Sequence, residues 1–351
     1  MKKKIIWIVL LIILVVGGIL VFSSEGKKEN KETVEEDKIQ IGMSFDSFVI
    51  ERWLRDRDVF VSTAKELGAE VNVQNANGDI EEQKKHINYF IEKGVDAIVI
   101  VCIDSYGLKD EVKKALDAGI KVVAYDRLIT EANVDLYISF DNAKVGEMMG
   151  DALVESGIKG KNVLMLGGSP ADSNVPILEG AFKKVMTDNN NTVIYSFHAD
   201  NWEAELAAQY VYENVNIVAR ADAIMCGNDN LASQVLRALA EKRLAGDILV
   251  VGQDADLEAC QRIVEGTQVM TAYKPVEKLA KRAAECAVAL AKGEEITGDD
   301  VVMLENGAYQ VPYVGLEPIS VTEENMNEII INSGFHLKED VYLNVPDKMP
   351  Q

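Results

Sequence analysis

The stretch 122-VVAYDRLITEANVDLYISFDNAKVGE-147 contains two short apolar runs that each stop abruptly at polar side chains. The runs VVAY and LYISF have the length and the β-branched and aromatic content of buried strands. Asp126 and Arg127 follow the first run, and Asp141 and Asn142 follow the second, at the start of a helical pattern. The stretch therefore predicts strands of a parallel sheet whose carboxyl ends carry charged and amide groups.

The same alternation of apolar runs and amphipathic helices continues along most of the chain from Lys38. The predicted strands are 39–45, 71–75, 97–103, 121–125, 136–140, 162–168, 193–197, 223–227, 248–253 and 269–273. The predicted helices are 51–67, 80–93, 107–118, 142–156, 175–187, 203–218, 229–243, 255–264 and 275–291. Continuous apolar strands separated by helices indicate parallel sheets that are covered on both faces. Because ten strands are unusual for one sheet, we expect an α/β protein with two doubly wound parallel-sheet lobes.

The composition of the chain excludes one class of partner. Its formal net charge is −21, from 36 Lys and Arg against 57 Asp and Glu, whereas a nucleic-acid-binding protein needs a basic surface.

The four cysteines of the chain lie far apart, with no Cys-x-x-Cys and no Cys/His spacing. This pattern favours buried free thiols over a metal site or a reactive nucleophile, so we expect no metal and no cofactor.

The N-terminus indicates targeting to a membrane. Three lysines precede the uncharged run 5-IIWIVLLIILVVGGILVF-22, and a charged linker, 23–37, follows. We expect residues 1–22 to form an apolar helix that serves as a membrane anchor or as a signal segment, because the run lies at the lower limit for a spanning helix and exceeds the usual core of a secretory signal. The body of the protein is then extracytoplasmic and anchored to the outer face of the cell membrane, with secretion or release to the periplasm as the alternative.

Ligands of open parallel sheets bind beyond the carboxyl ends of the strands, and those ends are rich in polar groups here. Helix capping accounts for an Asp or Asn after a strand, but it does not explain Arg127, Lys274, Trp53 or Trp202. Carboxylates accept hydrogen bonds, Arg and Lys donate them, and indole rings offer flat apolar faces. This mixture favours a neutral polyhydroxylated ligand such as a sugar. A phosphate ligand would require a P-loop, and 167-GGSPAD-172 lacks its Lys-Ser/Thr pair.

Six motifs between about Ile39 and His336 resemble the sugar-binding proteins of the type I periplasmic binding protein superfamily, most closely the D-xylose-binding branch. The motifs are 51-ERWLRDRDVF-60, 124-AYDRLI-129, 137-YISFDNAKVGE-147, 167-GGSPADSN-174, 252-GQDADL-257 and 270-MTAYKP-275. The resemblance implies two α/β lobes joined by three crossing segments that close on a monosaccharide. It also implies ten ligand contacts at the strand ends: Arg52, Trp53, Asp126, Arg127, Asp172, Asn174, Trp202, Asn228, Asp254 and Lys274. The chain departs from the family pattern at Ser173, where paired asparagines are usual, and around Trp202.

The resemblance divides the chain into discontinuous lobes. Residues 38–141 and 275–305 are expected to form the N-terminal lobe, and residues 142–274 and 306–345 the C-terminal lobe, with hinges near Asp141 and Lys274. The implied function is to bind a monosaccharide, D-xylose above all, and to present it to a membrane partner. That partner is either the permease of an ABC sugar transporter or the extracytoplasmic domain of a sensor histidine kinase.

Two other functions use similar features. A glycosidase-like sugar-processing enzyme could use cleft carboxylates such as Asp126 and Asp254 as acid and base. The charge of Arg127 beside Asp126 favours an ionised carboxylate over a proton donor, so we expect a binding protein and not an enzyme. Repressors of the LacI type share the two lobes, but they carry an N-terminal helix-turn-helix where this chain has its apolar run.

Overall fold

The structure is a computed structural model that describes residues 38–350. The predicted anchor at 5–22 and the linker at 23–37 lie outside the described residues. Within residues 38–350, no helix combines the length and the apolar character needed to cross a bilayer.

The strands and helices alternate along most of the described chain. The strands are Gln40–Phe45 (β1), Glu70–Asn75 (β2), Ala97–Ile100 (β3), Lys121–Tyr125 (β4), Leu136–Phe140 (β5), Asn162–Gly167 (β6), Thr192–His198 (β7), Ala223–Cys226 (β8), Leu249–Gln253 (β9), Met270–Tyr273 (β10), Val301–Asn306 (β11), Tyr309–Leu316 (β12) and Ile319–Val321 (β13). The helices are Arg52–Glu66 (α1), Ile80–Lys93 (α2), Lys109–Asp117 (α3), Asn142–Glu155 (α4), Asn174–Asp188 (α5), Ala204–Glu213 (α6), Val215–Val218 (α7), Asp229–Glu241 (α8), Leu257–Glu265 (α9), Val276–Ala291 (α10) and Lys338–Val341 (α11).

Two sheets define two lobes. The first sheet has the strand order β2-β1-β3-β4-β5-β12-β11, and the second has the order β7-β6-β8-β9-β10-β13. All pairings are parallel except those of the edge strands β11 with β12 and β13 with β10. The predicted fold class, two doubly wound parallel-sheet lobes, is therefore confirmed.

Helices cover both faces of each sheet. In β3, Ile98 and Ile100 share a buried cluster with residues of α2 and α3, whereas Val99 belongs to a second cluster with residues of α1 and α10. Successive side chains of a strand point to opposite faces, and all three of these are fully buried. This burial on both faces explains why the strands appear as unbroken apolar runs in the sequence.

The chain crosses between the lobes three times, after Phe140, after Tyr273 and after Leu316. The third crossing differs from the prediction, which assigned residues 306–345 to the C-terminal lobe. Strand β12 pairs with β5 through residues 313–316, so residues 309–316 belong to the N-terminal lobe. The reason is the turn at Gly307 and Ala308, between the paired residues Asn306 and Tyr309, which reverses the chain along β11 and keeps it on the first sheet.

Candidate functional site

A cavity lies between the two lobes at the carboxyl ends of their strands. The space between its walls is about 470 Å³ when the open solvent at its mouth is included, and residues of both lobes line it. In the second lobe, its lining includes the ends of β6 and β8, where the strand order of the sheet reverses. Nine of the ten predicted ligand residues line the cavity: Arg52, Trp53, Asp126, Arg127, Asp172, Asn174, Trp202, Asp254 and Lys274.

The start of α1 positions Arg52 in the cavity wall. Its Nη2 lies 3.1 Å from Asp56 Oδ1, one turn later in the helix, and 3.0 Å from Asp126 Oδ2 at the end of β4. Tyr125 donates its hydroxyl to Asp56 and holds that carboxylate in place. The Arg52 guanidinium also lies over the Trp53 ring, 4.4 Å from its centre, a cation–π contact that orients it further.

These contacts fix the charges of the first-lobe residues. Burial acts to raise the pKa of Asp126, but the charges of Arg52, Lys274 and Arg127 outweigh it and bring the pKa below its usual value. For Arg52, burial opposes the charge, yet the neighbouring carboxylates raise its pKa well above normal. Asp126 is therefore an ionised hydrogen-bond acceptor at neutral pH, and it does not serve as a proton donor.

Arg127 connects the two lobes beside the cavity. Its Nη1 donates to Asp46 Oδ2 in the first lobe at 2.8 Å, and its Nε lies 2.7 Å from Asp172 Oδ2 in the second. The Nε contact is an ion pair without hydrogen-bond alignment, and Trp202 Nε1 donates to the same Asp172 oxygen at 3.2 Å. Burial raises the pKa of both carboxyls in spite of the Arg127 charge, so this pairing closes the cavity wall at an energetic cost.

The loop after β9 holds Asp254 in a left-handed backbone conformation. Asp254 has a φ of 96° and Ala255 a φ of 56°, values that residues other than glycine seldom adopt. Ala255 N donates to Thr271 Oγ1 at 3.0 Å, and Ala255 O accepts from His336 Nε2 at 2.8 Å. These contacts offset the backbone strain, and they hold the Asp254 carboxylate at the cavity surface.

Asp254 faces two cations and keeps an oxygen without a hydrogen bond. Its Oδ1 lies 3.3 Å from Lys274 Nζ and 3.8 Å from Arg52 Nη1. It nevertheless makes no hydrogen bond with residues 38–350. A buried acceptor without a partner costs about 1–3 kcal/mol, so this oxygen is suited to a hydroxyl group that enters the cavity.

Two indole rings give the cavity flat apolar surfaces. Trp202 lies directly on the backbone of Gly168, where a Cβ atom would come within 2.2 Å of the ring. Trp202 and Asn201 both have positive φ values, 60° and 52°, which turn the indole into the cavity. Trp53, at the start of α1 in the first lobe, is almost fully buried and lines the same cavity. The two rings offer apolar faces to a ring-shaped ligand.

Asn228 is the one predicted residue that is not part of the cavity lining. Its Oδ1 accepts from Leu231 N at 2.9 Å and caps the start of α8, while the preceding Gly227 lines the cavity. The contact of Asn228 with the ligand stays a prediction. In the structure, helix capping engages its side-chain oxygen.

Three polar residues of the lining were not among the predicted contacts: Asn142, Glu179 and Gln253. Asn142 follows a strand in the way that a helix cap does, but Asp141 supplies the cap of α4 by accepting from Lys144 N at 2.9 Å. That arrangement leaves Asn142 in the cavity wall and gives a sequence signal, a second polar residue after the strand. Glu179 carries no such signal, because it lies within α5.

The described residues contain no metal site. Among residues 38–350, no three His, Cys, Asp or Glu side chains lie where they could hold a metal ion together. The four cysteines are free and buried, as the sequence predicted, and burial raises the pKa of Cys102 to about 12.

The chain is similar to known proteins over most of its length. The chain matches the periplasmic binding protein domain over residues 41–295. The D-xylose-binding periplasmic protein of Haemophilus influenzae is 40% identical over 333 residues, which cover 93% of this chain and 97% of the relative. The protein of the same name from Escherichia coli is 41% identical over 310 residues, with 87% and 93% covered. A crystal structure of an ABC transporter solute-binding protein from Clostridium phytofermentans with bound β-D-glucose has a TM-score of 0.75 at 26% identity, covering 86% of this chain and 99% of that one.

The chain therefore belongs to the periplasmic binding protein family, whose members are solute-binding proteins and not enzymes. This assignment excludes the glycosidase-like alternative. Within the family, the chain is a type I sugar-binding protein, as its six motifs predicted.

Proposed function

We propose that this protein binds D-xylose, or a closely related aldopentose or hexose, in the cavity between its lobes. The observation that carries the proposal is Asp254, a buried carboxylate with a free oxygen beside Lys274 and Arg52. A sugar hydroxyl donates one hydrogen bond and accepts others, so one hydroxyl can donate to Asp254 and accept from an adjacent cation. Asp126 and Asp172 repeat this arrangement of a carboxylate beside a guanidinium.

The charge balance of the cavity favours a neutral ligand. Each cationic side chain of the lining already has a carboxylate within 4 Å: Arg52, Arg127 and Lys274. A phosphate or carboxylate ligand would instead need cations whose charge is not already matched. The two indole faces suit the C–H surfaces of a pyranose ring. The names of the Haemophilus influenzae and Escherichia coli relatives support D-xylose among the neutral sugars.

The lobes close on the sugar by rotation at their crossing segments. The three crossings, near residues 141, 274 and 317, lie at the ends of strands that belong to different sheets, and such element-terminal positions act as hinges. The ion pair of Arg127 with Asp172 spans the two lobes, so opening separates these side chains. Small-angle X-ray scattering at saturating sugar should give a smaller radius of gyration than the sugar-free protein gives, and identical profiles would contradict hinge closure.

A membrane tether is the further part of the proposal. The apolar run 5–22 keeps the protein on the outer face of the cell membrane, with the lysines at residues 2–4 on the cytoplasmic side. A tethered binding protein has a raised effective concentration near a membrane partner, either an ABC permease or the extracytoplasmic domain of a sensor histidine kinase. N-terminal sequencing of the mature protein tests the tether, and a soluble form that begins near residues 24–38 contradicts it.

Isothermal titration calorimetry against a panel of neutral monosaccharides tests the sugar proposal. D-Xylose, L-arabinose, D-ribose, D-glucose, D-galactose and D-allose cover the pentoses and hexoses, and glucose 6-phosphate serves as the charged control. We expect the largest affinity for D-xylose and no binding of the phosphate. The absence of heat with every neutral sugar would overturn the proposal.

A further inference from the structure

The two lobes are joined outside the cavity by hydrogen bonds of Ser105. This residue follows β3 in the first lobe and is fully buried. Ser105 N donates to Ala171 O at 2.9 Å, and Ser105 Oγ accepts from Ser173 N at 3.0 Å. Ala171 and Ser173 belong to the loop between β6 and α5 in the second lobe, so both hydrogen bonds cross between the lobes.

The loop to which Ser105 is hydrogen-bonded also carries two residues of the cavity lining. Asp172 and Asn174 face the cavity, and they alternate with the two residues that bond to Ser105. Asn174 N donates to Asp172 Oδ1 at 2.9 Å, so a hydrogen bond within the loop joins the two lining residues. Ser105, Ala171 and Ser173 are not part of the lining.

We propose that Ser105 is a positioning residue for ligand binding that locks the loop 171–173 onto the first lobe when the lobes close, a role that rests on the proposed sugar-binding function. Opening of the lobes breaks both hydrogen bonds, so they stabilise the closed state whichever sugar occupies the cavity. Ser105 therefore sets the affinity of the protein without contributing to its choice among sugars. Discrimination stays with the residues that touch the ligand.

The substitution Ser105→Ala removes the hydroxyl acceptor and retains the backbone bond to Ala171. The loss of one hydrogen bond from the closed state should weaken binding of each sugar by roughly three- to tenfold. The ratio of affinities between any two sugars should stay within twofold of the wild-type ratio. Ser156→Ala is the matched control, because Ser156 Oγ donates to Ala152 O at 2.8 Å within the second lobe.

We call the two hydrogen bonds from Ser105 to the loop 171–173 the latch. A double-mutant cycle separates the effect of the latch on binding from a general loss of stability. Ser173 has a φ of −60°, which proline adopts, so Ser173→Pro removes the N–H donor of the same hydrogen bond, together with the Ser173 hydroxyl that donates to Leu128 O at 3.4 Å. Because S105A deletes a bond that S173P also deletes, the two losses are not additive, and the double variant should bind no more than twofold more weakly than S173P. Fully additive losses, or an S105A affinity within twofold of that of the wild type, would overturn the proposal.

Scattering without sugar keeps the latch testable on its own. The hydrogen bonds of Ser105 do not involve a ligand, so they favour closure without sugar as well, and sugar-free S105A should have a larger radius of gyration than the sugar-free wild type and S156A. An equal or smaller value contradicts the latch. If calorimetry detects no sugar for the wild type, the proposed function fails, and the latch is then judged by sugar-free scattering, where equal values for S105A and the wild type overturn it.

Discussion

Substitution of Asp254 by Asn tests the residue on which the sugar proposal depends most. The exchange preserves size and shape, and asparagine tolerates positive φ better than most residues do, so the loop at 96° should persist. The variant loses the negative charge that lies 3.3 Å from Lys274 Nζ. Arg52 keeps Asp56 and Asp126 as ion-pair partners, so the loss of the negative charge affects mainly Lys274.

The expected loss in affinity follows from two contributions. A hydrogen bond from a ligand hydroxyl to an ionised carboxylate is replaced by a weaker one to a neutral amide, and a buried ammonium loses its ion pair. Losses of this kind cost about 2–4 kcal/mol, and about 1.4 kcal/mol corresponds to a tenfold change. D254N should therefore bind its preferred sugar about 30- to 700-fold more weakly than the wild type.

Calorimetric measurement of sugar affinity for the wild type, D254N and a matched control tests this prediction. Asp79→Asn is the control: Asp79 caps α2 on the surface by accepting from Glu81 N at 2.8 Å, and asparagine caps equally well. D79N should bind sugar like the wild type. If D254N melts at the wild-type temperature and binds within threefold of the wild type, Asp254 does not contact the ligand and the reasoning is refuted.

Three further perturbations test other features. Gly168→Ala should displace Trp202 from the backbone on which it lies and lower sugar affinity at least tenfold, with little change in far-ultraviolet circular dichroism; unchanged affinity would show that the indole is not part of the site. Asn228→Ala should lower the free energy of unfolding by about 1 kcal/mol, because helix α8 loses its cap; an unchanged urea titration would contradict the capping role. Burial raises the pKa of Asp229 from 3.8 to about 7, so the folded protein holds this proton more tightly than the unfolded chain does. This contribution to stability is complete below about pH 4 and is lost as the pH rises towards 7; Asp229→Asn should flatten the pH dependence of stability over this range, and an unchanged slope would contradict it.

The sequence predicted where the candidate site lies, because the ends of strands in parallel sheets can be recognised from polar residues that follow apolar runs. Unbroken apolar runs indicate buried strands. A charged pair such as Asp126 and Arg127 directly after a buried strand is costly to bury, so its presence indicates a functional role. Residues that cap helices also follow strands, so this pattern alone does not separate helix caps from residues that line the cavity. Asp141 and Asn142 both follow β5, and this pair signals one polar residue beyond the helix cap. The sequence does not tell which of the two caps the helix and which lines the cavity.

The strands after residue 300 escaped prediction for a different reason. Strand β11 lies at the edge of its sheet, where Val302 and Met303 are exposed, so its apolar residues do not mark burial. The two-residue turn Gly307–Ala308 has glycine at its first position, a common hairpin signal, and it could have indicated that the chain stays on the first sheet. The partner of β12 is far away in the sequence, and local patterns carry no information about such pairings.

The position of β12 has a consequence for how the chain folds during its synthesis. Tyr313 pairs with Tyr137, so the N-terminal lobe cannot complete its sheet until the ribosome has made almost the whole C-terminal lobe. Until then, the edge of β5 has no neighbour, and open strand edges promote association between chains. Pairings between distant segments also slow folding. The emerging polypeptide therefore has a long interval in which a chaperone that shields β5 would increase the yield of native protein.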